Sequence, residues 1–302
     1  MPGDSVRFGI DLGGTKIELI ALDDAGVRAQ RRVATPSHDY DAIIEAVARL
    51  VEETEASLGV RGSVGVGMPG ALSRSTHTIK NSNTVCLNGR PFDRDLSRRL
   101  ARPIRIQNDA NCFALSEAVD GAGAGAEVVF GVILGTGVGG GIVVDQRALI
   151  GCNAIAGEWG HNPLPYPQPS DAPAPACYCG RSGCIETYLS GPALARDHAQ
   201  HTGEQVTASE IAAHASAGDP AALASLERYA ERLARGLAGV INLLDPDVIV
   251  LGGGVSQISW LYGRIPALLP HYTFSDHVDT RIVQARHGDS SGVRGAAWLW
   301  PR

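Results

Sequence analysis

Three of the six cysteines in this 302-residue sequence, Cys177, Cys179 and Cys184, fall within eight positions in "CYCGRSGC", sixteen residues after His161. Thiols so placed suit a metal site or a reactive site. A disulfide is disfavoured because the first sixteen residues contain no apolar signal segment, which points to a reducing, cytoplasmic setting. Three glycine-rich turns form a second group: "DLGGTK" (11–16), "LGTGVGGG" (134–141) and "LGGGVS" (251–256). Glycines let backbone N–H groups approach an anion, and Thr15 and Lys16 add a hydroxyl and a cation to the first turn. None fits the P-loop pattern, and a strand–turn–strand setting is wrong for a Rossmann fingerprint. Each turn alone reads as a tight hairpin; together they suit a nucleotide clamped between two halves. Asp109 in "QNDANC" is the carboxylate available for chemistry. It sits where a strand meets a helix, so it could accept a proton from an alcohol in phosphoryl transfer or merely cap that helix.

These residues need a scaffold. Residues 6–22 read as two apolar strands joined by a Gly-Gly turn, and 40–58 as a helix with Ile43, Ile44, Val47, Leu50 and Val51 on one face. A buried strand runs into the Pro-Gly turn of 63–72, and 104–119 reads as a strand, a polar turn and a helix. The pattern then restarts. "VILGTGVGGGIVV" weakly repeats "GIDLGGTKIELI", predicting a duplicated α/β unit with a cleft between its halves. Helices near 208–217 and 221–243, a strand over 247–256 and a last helix over 291–300 complete an alternating α/β pattern. The glycine-alanine passage 120–127 is the expected boundary, and the run 162–176, with six prolines, is an irregular loop to which the sequence assigns no role.

Composition sets outer limits. With 44% hydrophobic and 19% charged residues the chain can bury a sizeable core. Net charge is −6 without a Lys/Arg cluster, and no apolar run reaches 18 residues, which argues against nucleic acid or a membrane as partner.

Laid out in this way, the sequence resembles the ROK family of sugar kinases and repressors over nearly its whole length. "GIDLGGTK" and "GTGVGGG" are similar to the family's two phosphate motifs, "NDAN" to its catalytic-aspartate segment and "GEWGH" to its sugar motif. "CYCGRSGCIE" is similar to the family's cysteine signature. "SNTVCLNGRPF", "GHNPLP" and "GDSSGVRGAAWLW" most resemble bacterial fructokinases of the manno(fructo)kinase type. The resemblance implies the actin-like ATPase fold, two lobes flanking a nucleotide and sugar cleft. Its last helix returns to the first lobe, so one lobe spans 1–120 plus 290–302 and the other 121–289.

It further implies an ATP-dependent hexose kinase that forms D-fructose 6-phosphate, with some activity on mannose. Asp109 would be the base, and Gly70, Asn83, Asn108, Glu158, His161 and Glu186 would hold the sugar. Gly13, Gly14, Thr15, Lys16, Thr136 and Gly137 would meet phosphates, Gly253 and Gly254 the adenosine side, and Asp11 would orient Mg²⁺ through water. His161, Cys177, Cys179 and Cys184 form a Cys3His set suited to a structural zinc. One imidazole nitrogen would bind the metal, leaving the other to reach a sugar hydroxyl. A homodimer is the expected assembly. Three alternatives stand beside this reading: a glucokinase, mannokinase or N-acetylhexosamine kinase; a sugar-responsive repressor; and a non-catalytic sugar-binding protein. The repressor is disfavoured because the first phosphate turn begins about ten residues from the start, leaving no room for a DNA-binding module.

Overall fold

The computed structural model describes residues 6–300, which pack as two compact units. The first takes in the chain up to Gly121, Gly141–Ala156 and the segment from Asp289 onward; the second takes in Ala122–Gly140 and Gly157–Gly288.

The first unit is built on five strands: β1 (Arg7–Leu12), β2 (Lys16–Asp23), β3 (Gly26–Ala34), β4 (Ser63–Met68) and β5 (Ile104–Asn108). Their order is β3-β2-β1-β4-β5, antiparallel from β3 to β1 and parallel from β1 to β5. Side chains alternate faces along a strand. Phe8, Ile10 and Leu12 of β1, with Val64 and Val66 of β4, join a core with Ile43, Val47 and Val51 of helix α1 (Tyr40–Leu58) and Phe92 and Leu96 of α2 (Phe92–Leu100). Helix α1 begins at an Asp39 cap that accepts from the Ala42 N–H and stops at Gly59, whose φ of 68° is left-handed.

The opposite face carries glycines, and they let two helices lie directly on the backbone. Helices α3 (Asp109–Val119) and α8 (Ser291–Trp298) occupy this face. A Cβ at Gly65 would stand 1.9 Å from the Ala296 carbonyl oxygen, one at Gly9 would stand 2.0 Å from that of Val293, and one at Gly295 would stand 1.7 Å from that of Cys112. No side chain fits at those positions, so the approach of α8 is set by backbone contact.

The second sheet repeats the first in chain order. Its strands are β6 (Val128–Leu134), β7 (Val138–Val144), β8 (Arg147–Ala148), β9 (Val248–Gly252) and β10 (Arg281–Gln284), ordered β8-β7-β6-β9-β10. Strand β7 starts in the second unit and ends in the first. Third-second-first-fourth-fifth is the order in both sheets, so the weak repeat of glycine turns corresponds to a repeated topology. Helices α4 (Gly191–Thr202), α5 (Ala208–Ser216), α6 (Pro220–Leu244) and α7 (Trp260–Leu268) belong to the second unit. Among the described residues no helix is long and apolar enough to cross a membrane.

The sequence pattern did not predict β3, β10, α2, α4 or α7. Of the cysteines outside the cluster, Cys112 is buried, Cys86 half-buried and Cys152 exposed.

Gly65→Ala tests the backbone contact. Its methyl group has to push α8 off the sheet, and overpacking of this kind costs about 1–3 kcal/mol. A urea unfolding midpoint unchanged from the parent would show that the helix does not rest there.

Candidate active site

In the first unit the glycine turn between β1 and β2 is closed by a Gly13 N–H to Lys16 carbonyl bond of 3.0 Å, and the Thr35 hydroxyl donates to the Gly13 carbonyl at 2.7 Å. Gly14 lines a cavity of about 440 Å³ together with Ser37, Asn83 and Cys86. Thr15 and Lys16 follow in the turn, and the Lys16 ammonium lies 3.6 Å from Glu18.

Asp11, near the end of β1, stands close enough to Asp109 for the two carboxylates to repel. Burial, then Asp109, raises the Asp11 carboxyl from 3.8 to about 6, with Glu18 adding to the rise and Lys16 opposing it. Burial acts on Glu18 too, but hydrogen bonds from Gln30 at 2.6 Å and Arg32 at 2.8 Å hold that carboxyl below its ordinary range. The first unit thus presents two carboxylates under mutual strain, with a third neutralised behind them.

The capping position of helix α3 is taken by the neighbour of Asp109. Asn108 is the cap: its Oδ1 accepts from the N–H groups of Ala110 at 2.9 Å and Asn111 at 3.4 Å. Asp109 is the first residue of α3, and its Oδ1 accepts from the Ala110 N–H at 2.8 Å. It thus stands at the positive end of this helix, beside a separate capping residue. Asn108 also donates from Nδ2 to the Gly70 carbonyl at 3.2 Å. Gly70 has a φ of 86° and no room for a Cβ, which would stand 2.4 Å from the Lys80 carbonyl oxygen. Two residues assigned to sugar binding, Gly70 and Asn108, are thus directly joined, beside Asp109.

In the second unit the remaining glycine turns meet. A Cβ at Gly253, where φ is 82°, would stand 2.5 Å from the Leu134 carbonyl, and Gly254 opens the short helical turn that follows. The turn holding Thr136 and Gly137 is closed by a Gly135 N–H to Gly137 carbonyl bond of 3.0 Å. Glu186 reaches this turn: its Oε2 accepts from the Val138 N–H at 3.1 Å. Its Oε1 lies 3.8 Å from the Cys177 thiol. Glu158 immediately precedes the helical turn Trp159–His161.

The four predicted metal ligands converge. One donor atom from each of His161, Cys177, Cys179 and Cys184 lies within 4.8 Å of all the others; His161 Nδ1 is 3.6 Å from Cys177 Sγ, and Cys179 Sγ is 3.6 Å from Cys184 Sγ. A tetrahedron with Zn–S of about 2.3 Å and Zn–N of about 2.0 Å has edges of about 3.5–3.8 Å, so three soft thiols and an imidazole at this spacing fit zinc. Backbone and side-chain hydrogen bonds from Arg181 lower the Cys179 thiol to about 6, while burial and the neighbouring thiols push Cys184 up to about 12.

The proline-rich run between His161 and Cys177 frames this cluster. Leu164 N–H donates to the Gly183 carbonyl at 3.0 Å, Gly183 N–H to Pro175 at 2.8 Å and Cys177 N–H to Arg181 at 2.7 Å. The run is anchored by Asp171, which is 6% exposed. Its carboxylate accepts from Arg232 and Arg235 of α6, both at 2.8 Å, and its carbonyl accepts from the Tyr188 hydroxyl at 3.0 Å. Sequence reasoning missed this ion cluster because its members stand 61 and 64 positions apart.

The ROK family model matches residues 7–302. The chain belongs to the ROK family. It is 42% identical over 297 residues to the N-acetyl-D-glucosamine kinases of Yersinia pseudotuberculosis (strain IP 31758) and Salmonella newport, matches that cover 97% of this chain and 98% of each relative. The ROK hexokinase of Thermus thermophilus superposes with a TM-score of 0.85 at 34% identity, covering 97% of both chains. A ROK glucokinase of Streptomyces griseus, solved with glucose and AMPPNP, superposes with a TM-score of 0.75 at 29% identity, covering 98% of this chain and 99% of that one. This ROK protein thus has the actin-like ATPase fold and is an ATP-dependent sugar kinase. The whole-length likeness found is to N-acetyl-D-glucosamine kinases and not to fructokinases specifically.

Two outcomes follow from these geometries. A carboxyl whose folded pKa lies above its unfolded value adds stability below the unfolded pKa and loses it as pH rises through the folded one. Asp11→Asn should therefore melt above the parent at pH 8 in Mg²⁺-free buffer, with the difference vanishing below about pH 4; equal melting at both pH values would remove the strain assigned to Asp11. Asp171→Ala leaves two buried guanidinium groups without their shared carboxylate and should cost about 3–5 kcal/mol in chemical denaturation. Loss of less than about 1 kcal/mol would mean that the proline-rich run is not anchored there.

Proposed function

We propose that this protein transfers the γ-phosphoryl group of ATP to N-acetyl-D-glucosamine. The observation that carries this reading is the 42% identity, over almost the full length of both chains, to kinases named for that sugar. The 6-hydroxyl is the sugar's only primary alcohol and its least hindered nucleophile. Asp109 accepts the hydroxyl proton as the oxygen attacks the γ-phosphorus, the new O–P bond forms, and the bond to the departing ADP breaks. Gly70, Asn83, Asn108, Glu158, His161 and Glu186 hold the sugar. Gly13, Gly14, Thr15, Lys16, Thr136 and Gly137 line the phosphates, and Gly253 and Gly254 the adenosine side.

Asp11 suits Mg²⁺ as a water-mediated partner, because a carboxylate raised by burial and a neighbouring negative charge gains from a nearby cation. That ion supplies charge neutralisation on the phosphates. Zinc in the Cys3His set is structural: it fixes the His161 ring and the loop that leads into Glu186.

D-Fructose, with mannose as a minor acceptor, is the second reading. It rests on the segments 82–92, 160–165 and 288–300, which resemble fructokinases.

A coupled assay of ATP consumption with N-acetylglucosamine, N-acetylmannosamine, glucose, mannose and fructose separates these acceptors. The highest kcat/KM should fall on N-acetylglucosamine and should be lost when a chelator strips zinc; a preference for fructose would reassign the acceptor, and no sugar-dependent turnover would sink the kinase reading. Asp109→Asn should retain sugar binding and lose on the order of 10²-fold or more in kcat. Near-parental turnover would remove Asp109 from the chemistry.

A further inference from the structure

The sequence reading left one nitrogen of His161 open for a sugar hydroxyl. In the structure that nitrogen already has a partner. Nδ1 faces Cys177 Sγ inside the ligand cluster, while Nε2 lies 3.0 Å from the hydroxyl of Tyr178. Tyr178 stands between two of the cysteine ligands, and its ring meets the imidazole edge-on, with centroids 5.2 Å apart at 84°.

The character of this contact matters more than its existence. Tyr178 is 84% exposed, among the most exposed large apolar side chains described. A tyrosine ring that packed into the loop would be held by buried area, and here almost none is buried. The hydroxyl is the part that is held, by one hydrogen bond to a ring nitrogen whose other side faces the metal set. The ring can turn out into water by rotation at Cα–Cβ and forfeit little else. A hydroxyl on an exposed arm, resting on the one nitrogen of His161 that faces away from the cysteines, has the chemistry and the placement of a sugar hydroxyl.

We propose that Tyr178 is a specificity-determining residue whose hydroxyl occupies, on His161 Nε2, the hydrogen-bonding position that a hydroxyl of the acceptor sugar takes. This rests on the sugar-kinase reading given above. A sugar that offers a hydroxyl at that point exchanges one bond for another as it displaces the phenol. A molecule that lacks it breaks the Tyr178 bond and gains none, so it is rejected more strongly than its missing contact alone would require.

The test is titration calorimetry with N-acetylglucosamine in the absence of ATP, on zinc-loaded parent and on Tyr178→Phe, with zinc content measured on both. A neutral hydrogen bond at an exposed site corresponds to about a three- to tenfold change in an equilibrium. Tyr178→Phe should therefore bind the sugar about three- to tenfold more tightly with zinc retained, and KM should fall by the same factor while kcat stays within about twofold. Tyr178→Ala should match it, because the ring itself buries little. Unchanged or weaker sugar binding in Tyr178→Phe with zinc retained overturns the proposal, as does zinc loss, which would make the phenol a support of the metal loop. Tighter binding in Tyr178→Ala alone also overturns it, because the bulk of the ring would then be the obstacle. If the parent itself binds none of the hexoses assayed above, the kinase reading falls and this proposal with it; if the parent binds and the variants gain nothing, the proposal alone falls.

Discussion

One carboxylate constrains the polar half of the second unit. Glu186 follows the last cysteine of the cluster by two residues, and its Oε2 takes the Val138 N–H of the second glycine turn. For that oxygen to reach the backbone, residue 137 must lack a side chain: a Cβ there would stand 2.6 Å from Glu186 Oε2. Gly137 thus leaves room for this contact. The ligand loop and the turn hold each other in place through this bond, so a disturbance of the cysteine cluster is felt at the turn and the reverse.

The ligand loop is itself held from two sides. Its short limb, 181–185, pairs with both ends of the proline-rich run, and the middle of that run is fixed to α6 by Asp171. Burial would favour the neutral carboxyl of Asp171, but the two guanidinium groups and the Gln168 N–H prevail and hold its pKa down. The prolines limit the conformations open to a segment that has little secondary structure of its own. A passage that reads as a spacer is thereby the outer frame of the Cys3His cluster.

How much of this was legible depended on range in sequence. The glycine turns, the Cys3His set and the duplicated strand pattern are local features, and the chemistry of each is decided by residues a few positions apart. Both five-stranded sheets follow the order that such a duplication implies. Strand β3 escaped because its sequence, "GVRAQRRVA", carries three arginines on a half-exposed edge and lacks an apolar face. Helix α7 escaped because Gly263 and Pro266 interrupt it. The capping role of Asn108 in place of Asp109 turns on which of two adjacent oxygens points along the helix axis, and spacing carries no such information. The Tyr178–His161 bond and the Asp171 cluster depend on side-chain directions and on partners far along the chain, so only coordinates reveal them.

The backbone contact of α8 with the first sheet has a consequence for the order of events during synthesis. The faces of Gly9 and Gly65 are shaped for a segment that begins at Ser291, so the first unit stays incomplete until the ribosome has passed that segment. About 170 residues separate the end of α3 at Val119 from the start of α8 at Ser291. At about 5–20 residues per second the amino-terminal sheet waits roughly ten to thirty seconds with a bare glycine face. The second unit, whose sequence lies almost wholly inside that interval, is made while the first is still open. The polypeptide that emerges first is therefore among the last to be closed.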